Sequence, residues 1–177
     1  MKAILFLATI FFSTFASAKL SKPDWVLKKG KLTYHVNYTL KKVEGSSEAA
    51  KGKGHCEKGL CQFLVAVPVK SFISGDGNRD NHMLEVTKGA LNPMISMTLH
   101  FTEPAGSGKI DARAELNFAG KSKTFEHVVI EAKLNENEAM TTGTVPLVLS
   151  DFEVERPSLL AIKIDDAVPV DFEMVWN

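Results

Sequence analysis

Little in this chain points to catalysis, nucleic acid or a membrane span. Among 177 residues only two are cysteine, two tryptophan and two tyrosine, and 21 basic residues are balanced by 21 acidic ones. Without a basic excess there is no electrostatic reason to expect a nucleic-acid partner. The early basic residues Lys28, Lys29, Lys31, Lys41 and Lys42 read as solvated strand ends and hairpin tips. Past the N-terminal segment no stretch approaches the roughly 20 apolar residues of a membrane helix. Internal repeats, low-complexity tracts and linkers are also missing. An enzyme would need a nucleophile with a base, paired carboxylates or a metal cluster, and the chain offers isolated histidines and the adjacent Asp165 and Asp166. Neighbouring strand residues point to opposite faces, so that pair makes no acid/base dyad. No catalytic residue, metal or cofactor is expected.

What is present begins with an export signal. Lys2 precedes an apolar run from Ala3 to Phe15, and Ala16-Ser17-Ala18 has the small-x-small form that signal peptidase accepts. The expected mature chain starts at Lys19, and no cysteine stands there to carry a lipid anchor. In a bacterium its destination would be the periplasm or beyond. Removing those 18 residues from the 177 leaves 159, one domain of residues 19–177 with enough chain to bury a substantial core.

Cys56 and Cys61 lie in the segment HCEKGLC. In an oxidising compartment they are expected to form a disulfide across a hairpin whose four-residue loop is Glu57 to Leu60. Closing so short a loop contributes on the order of 2 kcal/mol. A redox-active pair or a metal site with His55 is disfavoured, because the spacing is neither C-x-x-C nor C-x-x-C-H and further ligands are not nearby.

The mature sequence alternates apolar and polar residues between Gly, Asn, Asp and Lys turns, the pattern of an antiparallel all-β domain. Eight strands are expected, over residues 32–40, 48–56, 61–70, 94–102, 109–118, 124–134, 140–149 and 167–176. Leu32, Tyr34, Val36, Tyr38 and Leu40 share one face of the first; His35 lies on the other, as do His100 and His127 in their strands, so all three are read as surface residues. Pro68, Pro146 and Pro169 fall inside strands and predict local edges, starts or bulges, since proline cannot donate a ladder hydrogen bond. The apolar stretch between the last two strands has room for a further short one. Such strands form either two stacked sheets or a closed barrel, and a small closed barrel can hold one ligand.

One segment breaks the pattern. Ser71 to Met83, SFISGDGNRDNHM, is a polar glycine-bearing turn that leads into a short helix over Asn81 to Ala90, with Asn78 or Asp80 as its cap and Arg79 in a structural ion pair. Phe72, the Arg79-Asp80 pair and His82-Met83 resemble the segment that the YceI-like family of polyisoprenoid-binding proteins carries between two barrel strands. Asn92-Pro93-Met94-Ile95, Leu116 to Lys121 with Lys123 and Phe125, and the C-terminal Leu149 to Phe172 are similar to it in order and spacing. The resemblance implies an eight-stranded antiparallel lipocalin-like barrel with a short helical segment near one end, whose hydrophobic cavity binds an isoprenoid or similar amphiphilic lipid. It implies no catalytic residues. The early half departs from the family pattern, because the Cys56 to Cys61 hairpin is not a general feature of it.

Carried onto this chain, the resemblance assigns cavity-lining roles to Tyr34, Val36, Tyr38, Val65, Val67, Met97, Leu99, Phe101, Leu116, Phe118, Ile130, Leu147, Leu149, Phe172 and Met174. Met83 and Leu84 would cover a mouth, where Arg79 and His82 would meet a headgroup. Nothing in the sequence opposes a homodimer. The competing reading is a structural or interaction domain with a filled core and no small ligand; a hydrolase or redox enzyme comes third.

Overall fold

Alternation fixes which face of each strand is apolar, and burying that face on itself closes the sheet. The computed structural model describes residues 24–38, 41–156, 158–159 and 162–177; the expected signal segment 1–18 and Leu40 lie outside them. The strands are β1 (Asp24–Tyr38), β2 (Lys41–Ser47), β3 (Lys51–Glu57), β4 (Leu60–Pro68), then helix α1 (Gly77–Val86), β5 (Met94–Thr102), β6 (Gly108–Phe118), β7 (Lys121–Leu134), β8 (Ala139–Val148), the short β9 (Ser158–Leu159) and β10 (Ile162–Lys163), and β11 (Ala167–Trp176). All main pairings are antiparallel, and β11 pairs with β1, for example Phe172 with Leu32. β2 and β3 both lie beside β1 and act as one interrupted stave. The result is a closed eight-stave barrel, and closure leaves few unpaired edges.

Several strand boundaries differ from the sequence reading. β1 begins at Asp24 rather than residue 32, because a bulge between Leu27 and Lys29 shifts the register and reverses the in/out order. Trp25 and Leu27 therefore face inward on one side of the bulge, and Leu32 and Tyr34 on the other. β7 starts at Lys121 and carries a second shift opposite Ala112 to Ala114. It turns Phe125 and Lys123 to the inner face, where Lys123 pairs with Asp151. The strand expected over 48–56 begins only at Lys51, and β2, which the sequence reading did not expect, precedes it across a break at Glu48 to Ala50. There the buried Ser47 hydroxyl meets Ser71 Oγ at 2.6 Å and accepts from Ala49 N.

Turn chemistry accounts for the connections. β3 and β4 join through Lys58 and Gly59 alone, with φ of 52° and 81°, so the loop has two residues and not four. A two-residue turn with both φ values positive matches the twist of its strands. Pro146 and Pro169 face each other across β8 and β11. Each lies beyond the stretch its strand pairs on the other side, so the local-edge expectation fits. Helix α1 starts four residues earlier than expected and ends at Val86. Its cap is Asp76, which accepts from the backbone N–H groups of Asn78 and Arg79 at 3.0 and 3.2 Å, and neither Asn78 nor Asp80 takes that role.

Four of the five histidines pair with a carboxylate on the outer surface. The hydrogen bond that His127 Nδ1 donates to Asp111 Oδ2 at 2.9 Å, and then the charge of that carboxylate, raise the pKa of His127 above the ordinary 6.5. A raised folded-state pKa makes this contribution complete below about pH 6.5 and lost as pH rises through the folded value. Replacing Asp111 by Asn is expected to return the His127 midpoint toward 6.5 in an NMR titration, and an unchanged midpoint would contradict the assignment.

Candidate functional site

The inward faces do not fill the barrel. They enclose a cavity of about 710 Å³, within the range of roughly 300–1,000 Å³ typical of small-molecule sites. Its wall is built from alternate residues of every stave: Tyr34 and Val36 from β1, Val65 and Val67 from β4, Met97, Leu99 and Phe101 from β5, Leu116 and Phe118 from β6, Ile130 from β7, Leu147 from β8, Leu149 just after it, and Phe172 and Met174 from β11. These are positions to which the resemblance assigns the lining. The Tyr38 side chain lies outside the described residues. Leu84 is half-buried and does not line the cavity, because it sits on the face of α1 that packs over Gly89.

Sequence reading missed much of the opposite end. Trp25, Cys56, Cys61, Phe63 and Trp176 also line the cavity. Phe63 packs edge-on to Trp176 with ring centroids 4.9 Å apart, and tilted to Phe101 at 5.3 Å. Glycines make room for such rings: a Cβ on Gly54 would lie 2.4 Å from Phe63, and one on Gly45 2.5 Å from Tyr34. The cross-strand register that sets a glycine beneath an aromatic is not visible in either strand alone.

Three charged residues line the cavity, Asp76, Arg79 and Glu103, and with them the imidazole of His82. Asp76, Arg79 and His82 stand with Met83 at the α1 end. Among the described residues Arg79 makes no ion pair, contrary to the structural pair expected for it. Its Nε instead donates to Ser74 Oγ at 2.8 Å, and its Nη2 to the Ser74 carbonyl at 2.9 Å. Asp80 accepts from both the backbone N–H and the hydroxyl of Ser74, so one serine ties the start of the helix to the preceding loop. Burial raises the pKa of Tyr34 above the ordinary value for a phenol, and its hydrogen bond with Ser74 works in the opposite direction. His82 Nδ1 lies 3.2 Å from Glu85 Oε2 at the exposed surface. Among the described residues no three His, Cys, Asp or Glu side chains assemble as a metal site, and no helix is long and apolar enough to cross a membrane.

A closed antiparallel barrel of eight staves around a ligand-sized apolar cavity places the molecule in the lipocalin-like class of small β-barrels. Within that class the chain belongs to the YceI-like family, whose YceI-like domain model matches residues 15–176. No curated protein matches it in sequence. Among solved structures it is similar to BcnA of Burkholderia cenocepacia, with 19% identity and a TM-score of 0.72 over 82% of this chain and 95% of that one. It is also similar to a domain from Saccharophagus degradans described as polyisoprenoid-binding and implicated in plant cell wall breakdown, with 17% identity and a TM-score of 0.68 over 88% of this chain and 99% of that one. At such identities the likeness speaks for the fold alone.

Proposed function

We propose that this protein is an exported binding protein that holds an isoprenoid or similar amphiphilic lipid in the barrel cavity, for carriage or sequestration, and that it catalyses no reaction. The observation that carries the reading is the continuous apolar wall of a cavity of about 710 Å³ with its few charges at the ends. Each square ångström of tail removed from water contributes roughly 25 cal/mol, so a long chain can be retained without a strong polar contact. Met97 and Met174 suit a wall that must adapt to branched chains. The description of the Saccharophagus relative as polyisoprenoid-binding supports the same ligand class. The pattern of residues 1–18 supports export, with Lys19 as the first residue of the mature chain.

Native mass spectrometry of protein purified from its own host, followed by solvent extraction, is expected to reveal a bound lipid of mainly hydrocarbon character. Protein that carries none, and takes up no prenyl chain when one is offered, would overturn the reading.

A further inference from the structure

The two ends of the cavity are unlike. Strand β5 runs between them: its inward residues Ile95, Met97, Leu99 and Phe101 all line the cavity, and so does Glu103 just beyond its end. From Ile95 to Glu103 is about 26 Å of strand. The α1 end carries a carboxylate and a guanidinium together, Asp76 and Arg79, whereas the far end carries a single charge, the Glu103 carboxylate. Glu103 is held there through its backbone N–H, which donates to the Gly59 carbonyl of the β3–β4 turn at 2.9 Å.

The other half-buried carboxylates among the described residues each have a partner: Asp80 accepts from Ser74, Asp166 accepts from Ser150, and Glu138 lies 3.8 Å from Lys28. Glu103 is the exception, for among the described residues no group donates to its carboxyl oxygens. A carboxylate that gives up water to an apolar wall costs free energy until a cation or a donor compensates it. The neighbouring side chains add to its negative potential. Phe101, two residues before it, packs tilted against Phe63 with ring centroids 5.3 Å apart, and Phe63 meets Trp176 at 4.9 Å and 80°, so three rings form a corner in the wall. Trp176 Nε1 donates to Thr141 Oγ1 at 3.1 Å, which fixes the indole and occupies its one N–H. The faces of such rings carry the negative part of the quadrupole and attract a cation within about 6 Å of the centroid.

We propose that the far end of the cavity is a cation subsite: a quaternary ammonium group lies in the corner of Phe63, Phe101 and Trp176 with Glu103 as its counter-ion, and the hydrocarbon chain it carries runs along the barrel toward α1. The makeup of the corner favours a quaternary over a primary ammonium. A primary ammonium has three N–H donors to satisfy and finds one carboxylate among apolar rings, whereas a quaternary ammonium has none and packs its methyl groups on the ring faces. The apolar wall between the two ends takes the chain, so the ligand class is a cationic amphiphile. This choice of headgroup rests on the lipid-binding reading and narrows it.

Two soluble probes test this on full-length mature protein. Dodecyltrimethylammonium and dodecyldimethylamine N-oxide share a chain and nearly a head shape, and at neutral pH only the first carries a net charge. In isothermal titration calorimetry below their micelle-forming concentrations, the ammonium is expected to bind about tenfold more tightly than the N-oxide. Glu103→Gln should bring the ratio of the two affinities toward one, and Phe101→Leu, which keeps the site apolar and the carboxylate in place, should lower it in part. If Glu103→Gln does not fold, the ratio in Phe101→Leu decides. In NMR spectra of the complex, the N-methyl protons are expected to show contacts with the rings of Trp176 and Phe101. Equal affinities for the two probes, a ratio unchanged in the folded variants, or N-methyl contacts at the α1 end would overturn the subsite. Uptake of the N-oxide or of a prenyl chain in those cases leaves the lipid-binding reading standing. If neither probe nor a prenyl chain binds, the subsite and that reading fall together.

Discussion

Truncating Phe152 to alanine is expected to lower the unfolding free energy by about 3–5 kcal/mol. Phe152 ends the short turn of Leu149–Phe152 that follows β8, and at 1% exposure it is among the most completely buried large side chains. Its ring packs edge-on against Phe118 with centroids 5.5 Å apart, so the substitution removes a specific aromatic contact as well as buried area. The site has little freedom to collapse. Glu153 behind it adopts a left-handed φ of 54° and is bound to Lys121 Nζ at 2.7 Å, while Asp166 accepts from Ser150 N and Oγ in front. Those hydrogen bonds hold the carboxyls of Glu153 and Asp166 below their usual range, and a turn pinned at both ends cannot move inward to fill the void. Phe152 does not line the cavity, so urea denaturation should report the loss while ligand uptake by the remaining folded protein is preserved. A cost under about 1 kcal/mol would mean that the turn relaxes freely, contrary to the way it is anchored.

The contrast between this residue and the expected lining shows what sequence patterns carry. Strict alternation marked Leu32, Tyr34 and Val36 and the whole of β5, and β11 was placed despite the irregularity expected at Pro169; the observed ends, 94–102 and 167–176, coincide with the expected ones. Alternation works there because no bulge intervenes between the strand ends. Where a bulge adds a residue, the in/out order reverses and the alternation breaks off. That is why Trp25 and Leu27 were invisible, and why Lys123 was not recognised as an inner-face residue bound to Asp151. The break between β2 and β3 depends on the Ser47–Ser71 contact, between residues 24 apart in sequence, and no local pattern encodes it. Similarly, Asp76 outcompetes Asn78 and Asp80 as the helix cap because Asp80 is already taken by Ser74. The disulfide was legible as a pair of cysteines. Its place in the cavity wall was not, since that follows from the inward parity of β3 and β4.

Replacing Leu116 by tryptophan is expected to cut the uptake of prenyl chains at least tenfold, equivalent to about 1.4 kcal/mol, with the barrel still folded. Leu116 is buried at 5% exposure and lines the cavity, with Met97 opposite it on β5 and Lys123 on β7. It lies within β6 and not at either mouth, so a larger ring there obstructs the path of a tail without altering a charge. The same substitution also separates a hollow barrel from a filled core through its effect on stability. In a packed interior an indole would force off-rotamer neighbours at a cost of about 1–3 kcal/mol, whereas a ring entering unoccupied apolar space meets no such resistance and gains contacts. The expected pair of results is therefore a thermal midpoint equal to or above that of the wild type together with lost uptake. A lowered midpoint with uptake intact would place Leu116 in packed core and move the ligand path elsewhere in the barrel. A lowered midpoint with no uptake in either protein would favour the filled-core domain, because the volume that admits a lipid tail is the same volume that should admit the indole.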